Sequence, residues 1–111
     1  MSNIGYQEPI TELSATTRDM HRAIISLMEE LDAIDCYNQR ADVCKDIELK
    51  AIIEHNRDEE KEHASMLLEW IRRQDPKFSK ELKDFFPCRV ISNPAYKFPI
   101  PRQLINMVNK V

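Results

Sequence analysis

A lone glutamate and a Glu-x-x-His, each set among apolar residues at helical spacing, are the parts of this sequence most able to do chemistry. Steps of four and three from Ala23 give Leu27, Glu30, Ile34 and Tyr37. Glu30 therefore falls in line with apolar residues, where an unpaired carboxylate is costly. The same walk later in the chain gives Leu49, Ile53, Asn56, Glu60, His63, Leu67 and Trp70. The step from Glu60 to His63 puts a carboxylate and an imidazole on one helix face, so both can reach one cation. A cation neutralises inward-facing carboxylates and replaces their lost hydration. Carboxylate oxygen with imidazole suits iron or manganese better than a thiolate-preferring metal.

Di-iron carboxylate bundles take a Glu from each of two helices and a Glu-x-x-His from each of the other two. This chain carries one lone Glu and one such motif at matching register, which is half the set. Two-fold symmetry in a homodimer would supply the remainder. Other readings stand beside this one. The run Arg57-Asp58-Glu59-Glu60-Lys61-Glu62-His63 has the composition of a solvated helix face. The polar seam could also serve the register of a purely structural helical dimer or adaptor, or hold iron for buffering or delivery without turnover. A peroxide-reducing enzyme of rubrerythrin type is disfavoured by the lack of any C-x-x-C pair.

Long helices must position these residues. From about residue 11 to about 41, Met20, Ile24, Leu27, Leu31 and Ile34 recur at helical steps with no Gly or Pro between them, which predicts one helix. Residues 41–46 break the pattern, and Asp46 is placed to cap a second helix running to about Gln74. Asp75-Pro76 predicts a stop followed by a shorter third helix with Phe78, Leu82, Phe85 and Phe86, Asp75 its cap and Pro76 its first residue. Residues 1–9 lack periodicity and read as a mobile lead-in. Residues 87–111 hold Pro87, Pro94, Pro99 and Pro101 and read as an extended tail, closed by the apolar piece Leu104–Val108. Two long helices with a short turn predict an antiparallel hairpin. Its apolar stripe needs a cover, and a second hairpin completing a four-helix bundle is the simplest one.

Composition agrees with an all-α chain. Among 111 residues, charged ones make up 32% and Gly5 is the single glycine, which suits long helices rather than sheets. So small a chain buries little, and oligomerisation is a common remedy. The formal charge of -3 and the lack of a basic patch argue against nucleic acid as partner. No apolar run approaches the ~20 residues that span a bilayer, and no secretion signal is evident. Cys36, Cys44 and Cys88 are odd in number and unpaired in spacing, which reads as reduced thiols of a cytoplasmic protein.

The runs HRAIISLMEELDAIDCY, from His21 to Tyr37, and HNRDEEKEHA, from His55 to Ala64 and continuing to Leu68-Glu69-Trp70, resemble the two long helices of encapsulated ferritins. The resemblance extends over about residues 18–86. It implies a two-helix protein with a short third helix, dimers assembled into an annular decamer, and ferrous iron oxidised at a di-iron centre in the dimer interface. An encapsulin shell in the cytoplasm would then hold the mineral. By matching position, Glu30, Glu60 and His63 are ferroxidase ligands and Tyr37 stands close by. Glu29 and Asp32 match a position on the path by which metal arrives. His55, Glu59 and Glu62 match an outer-surface site for calcium or another divalent cation. Cys36 stands where the family often has Trp, and Asp32 where it often has Glu. The tail occupies the usual place of a shell-targeting peptide, without the usual Gly-Ser-Leu type of motif.

Overall fold

A computed structural model of the chain describes residues 5–86. The described residues are helical, without strands, and comprise a short 3-10 turn (Ile10–Glu12), α1 (Ala15–Val43), α2 (Ile47–Gln74) and α3 (Pro76–Phe85). The all-α expectation holds, and the boundaries of the three helices lie close to those expected. The chain divides into two compact units, Met1–Gln74 and Asp75–Val111.

In the first unit, α1 begins later than its apolar periodicity suggests, for a local reason. Pro9 opens a single 3-10 turn, Leu13 is extended (φ -82°, ψ 141°), and the Ser14 side chain then accepts a hydrogen bond from the Thr17 N–H at 3.1 Å. A serine in this place satisfies one of the orphan donors of a new helix and fixes its start. The helix ends without glycine: the Cys44 N–H bonds back to the Arg40 carbonyl at 3.1 Å, and Cys44 is extended. Asp46 then restarts the helical path, its Oδ1 accepting from the Leu49 N–H at 2.8 Å. Three residues, Cys44 to Asp46, thus separate α1 from α2, and so short a link turns the chain back on itself. The pairing is antiparallel: going forward from Glu30 to Asn38 on α1 takes the facing partner back from His63 to Arg57 on α2.

Little is deeply buried between these helices. The buried residues of α1 are Ala23 and Ala41, and those of α2 are Ala64 and Ile71. Large apolar side chains stand open, as expected of a hairpin whose apolar stripe needs a cover: Ile24 and Leu31 on α1 are 42% and 53% exposed, and Met66 on α2 is 58% exposed. Their periodicity is only partly used by the contact of α1 with α2. Water-facing apolar stripes of this kind mark a surface for another partner.

The described part of the lead-in, residues 5–9, makes contacts with α1, and residues 1–4 lie outside the described residues. Gly5 (φ +79°) lies so close to α1 that a Cβ there would stand 2.9 Å from His21 Cε1 and 3.3 Å from Ile25 Cδ1. The Tyr6 ring lies on His21, with centroids 4.0 Å apart, and Arg18 Nε donates to the Ile10 carbonyl at 3.1 Å. Periodicity is blind to such a strap, because contacts between a non-repetitive segment and a helix leave no repeating signal.

The second unit contributes α3. Asp75 Oδ1 accepts from the Phe78 N–H at 3.0 Å, and Pro76 occupies the first helical position, as expected for a helix that starts immediately after another stops. Phe78, Leu82 and Phe85 share one face at steps of four and three. Lys77–Glu81 at 3.0 Å and Lys80–Asp84 at 2.7 Å run along the polar side. The Pro-rich tail expected over residues 87–111, with Cys88, lies outside the described residues. Among the described residues, no helix is long and apolar enough to cross a membrane.

Candidate metal centre

The antiparallel pairing brings Glu30 of α1 against Glu60 and His63 of α2. His63 Nδ1 stands 3.6 Å from Glu30 Oε2 and 3.3 Å from Glu60 Oε2. One ligating atom from each of the three lies within 4.8 Å of the others. Among the described residues, this is the one group of three or more His, Cys, Asp or Glu side chains drawn together so closely. The side chains are 26%, 22% and 43% exposed, respectively. The carboxylates are thus half-buried and the imidazole is the open edge of the group.

Two carboxylates that converge half-buried would repel one another unless a positive group lies between them. His63 can be that group when protonated, and a divalent cation can be that group when the imidazole is neutral. Because Nδ1 faces both carboxylates, it is the atom placed to ligate with them, and Nε2 lies on the far side of the ring. Oxygen-rich ligation with a single imidazole fits a first-row divalent metal such as ferrous iron. Three protein ligands would leave coordination positions for further ligands.

The other sequence-derived candidates are arranged differently. Tyr37 is half-buried, and its ring carries the Arg40 guanidinium 5.5 Å from the centroid. Glu29 and Asp32 are exposed on α1. Consecutive residues diverge by about 100° around a helix, so Glu29 does not share Glu30's direction. His55 Nε2 lies 3.6 Å from Glu59 Oε1 with both side chains well exposed, and Glu62 is exposed on the same helix. Cys36 and Cys44 are free thiols.

One residue beside the centre escaped the sequence reading. Arg57, 21% exposed, donates from Nη1 to Asn38 Oδ1 on α1 at 3.2 Å and from Nε to Asp58 Oδ1 at 3.1 Å, with Glu54 at 3.9 Å. In sequence it is the first residue of a charged run. The signal that could have marked it is its spacing: four residues after Ile53 and three before Glu60, it lies beside the seam.

The sequence profile described as EncFtn-like matches residues 5–87. The chain belongs to the EncFtn-like family. Proteins similar to this chain carry names in keeping with this. An "Encapsulated ferritin-like protein" from Rhodospirillum rubrum is 55% identical over 84 residues, covering 76% of this chain and 60% of that protein. A "Ferritin-like protein" from Thermotoga maritima is 49% identical over 80 residues, covering 72% of this chain and 70% of that one. The "Encapsulin nanocompartment cargo protein EncC" of Myxococcus xanthus is 37% identical over 70 residues, covering 62% of this chain and 54% of the other. The crystal structure of protein ne0167 from Nitrosomonas europaea matches with a TM-score of 0.74 and 67% identity, covering 84% of this chain and 99% of that one. The EncFtn-like match thus spans both long helices and α3, and includes all three residues of the cluster.

Proposed function

We propose that this protein is a ferroxidase whose di-iron site is completed by a second copy of the chain. The observation that carries this reading is the convergence of Glu30, Glu60 and His63, half of a ligand set in which two such halves hold two metal ions. The resemblance of the chain to encapsulated ferritins gives it its direction. Ferrous iron is the substrate. Glu30 and Glu60 bind it through oxygen and favour the ferric state by their charge, while His63 supplies one nitrogen. Each of two ferrous ions gives up one electron. An oxidant of the dioxygen or peroxide class accepts the pair and, with protons, leaves as hydrogen peroxide or water.

The surrounding roles follow the same reading. Tyr37 stands near the centre as an accessory residue, Glu29 and Asp32 lie on the path of arriving metal, and His55, Glu59 and Glu62 form an outer site for calcium or a similar cation. Dimers assemble into an annular decamer. The ferric product passes into an encapsulin nanocompartment in the cytoplasm, with residues 87–111 serving as the segment that targets the shell. The relative named as an encapsulin cargo protein supports this partner.

The test is oxidation of ferrous iron by the purified protein, read as growth of ferric absorbance against buffer and against Glu30→Ala. Oxidation faster than buffer, lost in the variant, supports the reading. Iron retained at one ion per chain without rate enhancement would instead make the protein a non-catalytic iron binder or delivery partner.

A further inference from the structure

Arg57 has a role that its charged surroundings conceal: we infer that it is a positioning residue, fixing how α1 faces α2 so that Glu30 meets Glu60 and His63. This rests on the metal-site reading of those three residues and goes beyond it to the element that holds them in place.

The need for such a residue follows from the contact between the helices. The turn Cys44–Asp46 fixes the axial register near its own end, yet a short turn leaves each helix free to rotate and splay. Interdigitating side chains usually remove that freedom. Here the buried residues of α1 are both alanines, and α2 adds Ala64 and Ile71. Alanine ridges are shallow, and the larger seam residues Leu27, Ile34, Ile53 and Leu67 are only half-buried, so packing defines rotation weakly. A metal ligand set tolerates little error: constellations of this kind must be held within about 0.5 Å and 10–20°.

Arg57 supplies the missing restraint. It lies one turn before Glu60 on α2 and reaches Asn38 on α1 at 3.2 Å. Asn38 lies about 12 Å along α1 from Glu30, at 1.5 Å per residue. The planar guanidinium donates to Asn38 Oδ1 and Asp58 Oδ1, with the Glu54 carboxylate 3.9 Å away. A guanidinium fork fixed at several donors is preorganised, so the bond to Asn38 sets an azimuth as well as a distance. The bond joins the helices between the turn and the cluster, so a rotation of α1 about its own axis carries Asn38 off Arg57 and Glu30 off Glu60 and His63 together.

The experiment is a Co(II) titration of the full chain, following visible absorption bands that report ligand geometry. The variants are Asn38→Leu, Arg57→Met, their double and Asn38→Asp. Supporting hydrogen bonds around metal ligands cost roughly 10–100-fold in affinity when lost. The expected result is about tenfold weaker Co(II) binding and altered bands in each single variant. The double should be no weaker than the singles, since both lose the same bond, and Asn38→Asp, which keeps an acceptor for Arg57, should retain wild-type behaviour. Far-UV ellipticity should stay unchanged throughout. Asn38 is exposed, so Asn38→Leu decides the matter even if Arg57→Met fails to fold. Wild-type affinity and bands in folded Asn38→Leu, or losses that add in the double, overturn the positioning role and leave the ferroxidase reading standing. A wild-type chain whose Co(II) binding is unaffected by Glu30→Ala overturns both.

Discussion

His63 Nδ1 on α2 and Glu30 Oε2 on α1 lie 3.6 Å apart, across the contact of two antiparallel helices. On the proposed reading, this approach makes Glu30 part of a ligand group rather than a misplaced seam residue. Glu30→Ala, Glu60→Ala and His63→Ala should each reduce ferrous oxidation to the level of buffer while far-UV ellipticity stays at the wild-type value, because none of the three caps a helix. Stopped-flow absorbance after mixing with aerobic ferrous iron measures this. A variant that oxidises at the wild-type rate would remove that residue from the centre.

The apolar side chains left open by the hairpin give a second expectation. Trp70 is 37% exposed and lies two turns beyond His63 on the same helix, so both present to one side. Native mass spectrometry of the wild type should find an even-numbered assembly carrying one iron per chain. Trp70→Glu should weaken association by about 2 kcal/mol or more, as a truncated aromatic anchor does, and shift the spectrum to smaller species. Unchanged mass in that variant would place the interface elsewhere.

Much of this arrangement was legible in the sequence, and the parts that were not have physical reasons. Asp46 and Asp75 mark helix starts because a carboxylate before an apolar repeat has a local task, capping free N–H groups, and both are found doing it. Glu30, Glu60 and His63 could be placed together because helical steps fix direction and a short turn fixes pairing. Ile24 and Leu31 read as part of an apolar face needing a cover, because periodicity reports that a face is apolar, not what covers it. Arg57 was lost in a charged run, and the Gly5–Tyr6 strap was lost because its contacts with His21 and Ile25 do not repeat.

Glu69 gives an expectation in pH. Hydrogen bonds from Arg72 and Arg73, at 2.7 and 2.8 Å, hold its carboxyl down at about 2, from an ordinary 4.5. A carboxyl with a lowered value contributes stability that is fully present above pH 4.5 and is lost as pH falls toward about 2. NMR titration of the Glu69 side chain should find its midpoint near 2, moving back toward 4.5 in Arg72→Gln/Arg73→Gln. The pairs are at the surface, so added salt should reduce the difference. A midpoint near the ordinary value in the wild type would show that the ion pairs do not persist in solution.

Gly5 gives an expectation at the strap. A side chain there would adopt φ +79° and place its Cβ 2.9 Å from His21 Cε1. Left-handed backbone costs a non-glycine residue about 1–2 kcal/mol. That is as large as the roughly 0.5–1.5 kcal/mol that a single aromatic contact such as Tyr6 on His21 returns, and the close approach to His21 adds to it. Gly5→Ala should therefore release the strap without melting α1, which Ser14 caps independently. Limited proteolysis should cut before Leu13 several-fold faster in the variant, with ellipticity unchanged. Equal cleavage rates would mean that the strap is held by other contacts.

The three-residue link between α1 and α2 also separates two orders of reaction. Glu30, Glu60 and His63 belong to one chain, so bringing them together is a first-order event, independent of concentration. Meeting a second chain is second-order and slows with dilution. On the proposed reading, a freshly made molecule therefore carries all three of its own ligands before it has a partner. At low expression it would meet ferrous iron singly, able to hold an ion but not to pass on two electrons. Concentration alone, with no change in any residue, would turn holding into oxidation.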